Sequence, residues 1–170
     1  MTVLRPVFLT LFVALTVGGQ QSFPPASCPI TVPPTEPFTP PAAYKLDENG
    51  NGFWLGTEKL WTVLRKSGVW EWAPHEPGHE NEVQPLTEKT FWMSVDFHWR
   101  TEYPPKLKVT GRRLDGDAQP LLTMRATNAF IGPATSMLTG VYVPTPGCWE
   151  ITGEYAGEKL SYVVWVKPIR

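Results

Sequence analysis

Alternation of apolar and polar positions every two residues is the dominant pattern in this chain, and it is clearest near the C-terminus. In residues 144–166 Trp149, Ile151, Gly153 and Tyr155 fall on one face of a strand. Leu160, Tyr162, Val164 and Val166 fall on one face of the next, across an Ala-Gly-Glu turn. The spacing predicts a β-hairpin that closes a β-sandwich. A second long alternation sets Phe91, Met93, Val95, Phe97 and Trp99 against Trp92, Ser94, Asp96, His98 and Arg100, which predicts one strand over 91–99 with the first set facing inward.

Shorter runs at 53–55, 60–64 and 69–72, separated by Gly-containing turns, predict a meander. Residues 107–111, 121–126 and 137–143 supply further strands, making about eight with turns every 8 to 12 residues. Residues 73–88 are polar with three prolines and read as a loop. No segment has a helical period. The fold class expected is all-β, an immunoglobulin-like antiparallel β-sandwich over residues 44–170.

Composition agrees with that reading. The chain has 170 residues, enough for one domain, and 19 Pro and 14 Gly against four Met favour short strands and turns. Residues 20–43 contain three Pro-Pro pairs and form a Pro-rich arm or linker that is neither helix nor central strand. A net charge of −1 provides no field for gathering phosphates, so nucleic acid is not an expected partner.

Residues 1–19 read as a secretory signal peptide: Arg5 precedes an apolar run over 7–17, and Val17 and Gly19 suit a cut before Gln20. The run is shorter than a bilayer span, so no transmembrane segment is expected in the mature chain. The expected location is periplasmic, cell-surface or secreted, with an unknown envelope or extracellular partner. Only Cys28 and Cys148 are present. An oxidising compartment allows them to pair. The alternative is a lipid anchor at Cys28, for which Ala26 and Ser27 fit but Pro25 stands where an aliphatic residue is usual. Two free thiols are the third possibility.

Two motifs suggest metals and both conflict with their context. His75, Glu76 and His79 match the letters HExxH, yet Pro77-Gly78 between the histidines prevents the helix that the zinc-hydrolase mechanism requires. A loop could still present the two imidazoles with Glu80 or Glu82. Asp47, Asn49, Asn51, Gly52 and Glu58 match the calcium loop of an EF-hand, but a Pro-led segment precedes them and a β-rich one follows. A plain Asn-Gly turn accounts for the same residues. No metal or other cofactor is therefore expected, and no catalytic residues are assigned: there is no Gly-x-Ser-x-Gly elbow and no phosphate-binding glycine loop.

Eight tryptophans remain. Trp99 and Trp149 fall on predicted apolar faces, whereas Trp92 and Trp165 fall on opposite faces, where a second layer or a ligand must cover them. Exposed Trp could stack on sugar rings, which makes a carbohydrate-binding module the alternative function. Arg112 and Arg113 point to opposite faces, so together they make a poor anion site.

The segments CPIT at 28–31, LKVTGRRLD at 107–115 and PTPGCWEITG at 144–153 resemble a group of uncharacterised exported bacterial proteins. The resemblance does not extend over 70–86. It implies an envelope or secreted β-domain in which the two cysteines recur together, and it supplies no catalytic residues. The function expected is thus an exported, non-catalytic β-sandwich that acts by binding or as a structural component of the cell envelope, with a metal-dependent hydrolase the least favoured alternative.

Overall fold

The computed structural model describes residues 24–41, 50–74, 85–131 and 134–169. Every regular element among them is a strand: β1 (Gly52–Gly56), β2 (Trp61–Arg65), β3 (Val69–Trp72), β4 (Glu88–Met93), β5 (Lys108–Arg113), β6 (Leu122–Thr123), β7 (Thr127–Ile131), β8 (Ala134–Tyr142), β9 (Gly147–Tyr155) and β10 (Glu158–Pro168). They form two packed sheets, so the chain is an all-β sandwich. One sheet has the order β1-β2-β4-β8-β6, with β7 also on β8; the other has the order β3-β10-β9-β5.

The β9–β10 hairpin is as predicted. It pairs without interruption from Glu158↔Tyr155 to Val166↔Gly147, and Ala156 (φ 51) and Gly157 (φ 85) form the two-residue turn. Two positive φ values are what the right-handed twist of a hairpin selects. Trp149, Ile151, Tyr155, Tyr162, Val164 and Val166 all lie in the core between the sheets. Gly153 has a specific purpose: a Cβ there would overlap the indole of Trp92.

Three expectations are corrected. The strand predicted over 91–99 stops at Met93, because Ser94 turns the chain: its hydroxyl accepts from the Asp96 amide at 3.1 Å and its carbonyl from the Phe97 amide at 3.2 Å. The faces of that strand are also reversed. Trp92 points between the sheets, against Gly153 and Tyr162, while Phe91 and Met93 join Trp54, Trp61, Val63 and Ile131 in a second apolar cluster on the far side. Alternation marks which residues share a face and not which face lies inside. Phe38 of the arm packs on this second cluster, with its ring 6.0 Å from that of Trp61.

The meander ends early as well. β1 and β2 pair antiparallel, but β3 leaves for the other sheet and runs parallel to β10. The crossing occurs at Gly68, whose amide bonds back to the Arg65 carbonyl at 3.0 Å and whose carbonyl accepts from the Trp165 amide at 2.8 Å. The 121–126 segment yields only the two-residue β6, and β7 was not anticipated.

The arm is part of the domain over its described length. Cys28 is bonded to Cys148 across a separation of 120 residues, and both are buried, at 6% and 1% exposure. β3 covers β10 only from Trp165 onward. Just before that point the arm takes its place: the Thr31 amide donates to the Val163 carbonyl at 2.9 Å, and the Val163 amide donates to the Thr31 hydroxyl at 2.8 Å. Part of an open sheet edge is thereby capped. The Pro-rich sequence suits this position, since it does not compete for a place inside the sheet.

Candidate functional site

A cleft opens between β2 and β4. These neighbours pair only at Trp61↔Met93 and Thr62↔Trp92. Beyond Thr62, whose hydroxyl donates to the Phe91 carbonyl at 2.7 Å, no further pairing joins them. The gap has a volume of about 380 Å³, within the range typical of small-molecule sites. Leu64 and Phe91 form apolar walls, and Trp70 from β3 and Tyr162 from β10 close the bottom. At the rim Arg65 and Glu88 form an ion pair across the gap at 2.8 Å.

Tyr162 is the chemically unusual residue here. Its ring lies 5.8 Å from that of Trp92 and 6.2 Å, edge-on, from that of Trp70. Its hydroxyl is fully buried and has no hydrogen-bond partner among the described residues. Burial, and secondarily the negative charge of Glu88, push its ionisation well above the ordinary tyrosine range, so the hydroxyl stays neutral. The polar groups around it are already engaged. Thr90 donates to the Thr139 carbonyl and accepts from the Trp92 indole at 3.1 Å.

The other tyrosine on the inner face of the hairpin makes a useful contrast. Tyr155 donates to the Glu102 carboxylate at 2.8 Å. Its ionisation is also raised, by burial first and then by that bond and charge. Glu102 in turn accepts from the Lys106 amide at 2.7 Å, which places this pair in a closed structural network.

Among the described tryptophans only Trp99 is exposed, at 37%, and it lies in a turn and not on the inner face predicted for it. Phe130, 60% exposed, meets it edge-on at 5.9 Å, and the Arg100 guanidinium stands 4.8 Å from its ring centre. Trp165 is half-buried opposite Cys148 on the outer face of its sheet. Arg112 and Arg113 are both paired, with Glu150 and Asp115 respectively, each at 2.7 Å.

The metal motifs lie largely outside the described residues. His75, Glu76, His79, Glu80 and Glu82, like Asp47 and Asn49, lie outside the described residues. Within the EF-hand match, β1 runs extended from Gly52 to Gly56. No group of three or more metal-ligating side chains occurs among the described residues. No helix among them is long and apolar enough to cross a membrane.

Sequence reasoning placed Tyr162 on one strand face with Leu160, Val164 and Val166 and gave it no role of its own. The cleft comes from strands that diverge, a property of register that alternation along either strand alone does not carry. No family model, no curated protein and no solved structure matches this chain.

Proposed function

We propose that this protein is exported and works outside the reducing cytoplasm as a non-catalytic, disulfide-strapped β-sandwich whose activity is binding. The buried Cys28–Cys148 bond carries this reading, because structural disulfides persist in oxidising compartments and are rare where thioredoxin and glutathione act. The signal-peptide pattern at residues 1–19 and the resemblance to exported bacterial proteins support the same location. The cleft supports binding. A lipid at Cys28 would need the sulfur that the bridge uses, so the two arrangements exclude one another.

We also read the sandwich as immunoglobulin-like. In that reading β2, β4, β8 and the broken β6/β7 edge take the places of strands A, B, E and D, and β5, β9 and β10 those of C, F and G. β3 would then be the continuation of the first strand onto the second sheet.

Carbohydrate binding narrows to Trp99, since a platform of several coplanar exposed indoles is not present among the described residues. The export reading is tested by fractionating expressing cells while trapping thiols with a maleimide. The protein is expected in an exported fraction with neither cysteine labelled until reductant is added. Recovery in the cytoplasm with both cysteines labelled would reject it.

A further inference from the structure

We propose that the cleft between β2 and β4 is a binding site for a small, uncharged, mostly apolar molecule that ends in one hydrogen-bonding oxygen, received by the hydroxyl of Tyr162. The proposal rests on the reading of this protein as a binder and adds the site and the ligand class. Two independent observations meet here. One is a preformed gap of about 380 Å³ with Leu64, Trp70 and Phe91 on its walls. The other is Tyr162, which lines the gap and whose hydroxyl is buried with no partner among the described residues.

A buried hydroxyl left unpaired is unfavourable, and native structures nearly always satisfy such groups. The Thr62 and Thr90 hydroxyls donate to the Phe91 and Thr139 carbonyls, and the Tyr162 hydroxyl bonds to neither. A ligand carbonyl or hydroxyl at Tyr162 would restore the missing bond while its apolar body displaced water from the walls. Charge is selected against from both sides. The Glu88 carboxylate near the tyrosine disfavours an anion, and a cation would meet Arg65 and Lys89 at the cleft. Arg65 and Glu88 neutralise one another across the rim, leaving a threshold that an uncharged molecule crosses without breaking an ion pair.

Acetophenone and isopropenylbenzene test this directly. They share shape and differ in a carbonyl oxygen replaced by a CH₂ group. Each is titrated into the disulfide-intact protein while the ring resonances of Trp70 and Tyr162 are followed by NMR. Saturable shifts at both residues are expected with acetophenone, with affinity about fivefold higher than for isopropenylbenzene, the ratio that one net hydrogen bond confers. In Tyr162→Phe, which removes only the oxygen, the preference for acetophenone should vanish or invert, because its carbonyl would then be buried without a donor. Absence of shifts at Trp70 and Tyr162 with either probe, meaning a hydrated groove only, would overturn the proposal. Equal affinities in the wild-type protein would overturn the role of Tyr162. Either failure in protein whose Cys28–Cys148 bond is intact leaves the exported, strapped sandwich standing and removes only the cleft ligand.

Discussion

The β9–β10 hairpin and the β2–β4 pair are both antiparallel and both face the same core, yet one is closed and the other open. The hairpin pairs from its turn to Val166↔Gly147. Its neighbour Cys148 is fixed by the Leu114 amide, which donates to its carbonyl at 2.7 Å, and by the bond to Cys28. The β2–β4 pair stops after Thr62↔Trp92 and leaves Tyr162 at the bottom of a gap. Both inner-face tyrosines belong to the hairpin, Tyr155 at its turn end and Tyr162 beneath the gap, and the contrast appears in what each hydroxyl touches. Where pairing is continuous, stability is concentrated; where it fails, a polar group is left for another molecule to satisfy.

The contrast can be broken most forcefully at the strap. Replacing Cys28 and Cys148 together by serine should lower stability by up to about 5 kcal/mol, the loop-closure value for a separation of this size, measured by denaturant unfolding against the oxidised protein. A loss below about 1 kcal/mol would mean that the arm is held by its other contacts, chiefly Thr31 on Val163 and Phe38 on Trp61. Next in size, Gly153→Val inserts atoms where the Trp92 indole lies and should cost about 1–3 kcal/mol by overpacking, visible in thermal unfolding.

The tyrosines sharpen the comparison more finely. Tyr155→Phe removes a bond to the Glu102 carboxylate and should cost about 1.5 kcal/mol. Tyr162→Phe removes a hydroxyl with no described partner and should change stability by less than about 0.5 kcal/mol or raise it. Equal losses in chemical denaturation would erase the distinction between the two regions.

A smaller effect is expected at Asp115. Its burial would raise the carboxyl pKa, but the Arg113 guanidinium and the Cys148 amide outweigh this and hold it below the ordinary value of 3.8. A depressed carboxylate stabilises the fold above that value, and the contribution is lost as pH falls through the folded pKa. Asp115→Asn should therefore be less stable than wild type by about 1 kcal/mol at neutral pH, with the difference shrinking below pH 3.8. Smallest of all, Ala156 adopts a positive φ that suits asparagine better. Ala156→Asn should raise stability by about 0.5 kcal/mol in the same unfolding assay.

The two regions also differ in how far the sequence disclosed them. The hairpin was readable because Trp149 to Tyr155 and Leu160 to Val166 alternate without a break across a short turn, and hairpin geometry needs no distant information. β4 has equally regular alternation and was misread in orientation, because both of its faces are covered: Trp92 by the opposite sheet, and Phe91 and Met93 within a cluster that Phe38 of the arm helps to cover. Local pattern could not signal that an arm residue fifty-odd positions earlier would cover the far face. The serine that ends the strand at position 94 acts through its own backbone turn, and Val95 and Trp99 continue the alternation by coincidence, both exposed. The cleft was illegible for a different reason: it is defined by where two strands part, and Tyr162 reads the same in sequence whether its hydroxyl meets a partner or a gap.

Intact-mass spectrometry of the protein isolated from expressing cells, denatured with and without reductant, tests most directly whether the arm and hairpin form one covalent unit outside the cytoplasm. The account predicts a single species beginning at Gln20, unlabelled by alkylating reagent until reduction adds the mass of two hydrogen atoms and opens both cysteines. A diacylglycerol mass on a chain beginning at Cys28, or two alkylated thiols without reductant, would contradict it.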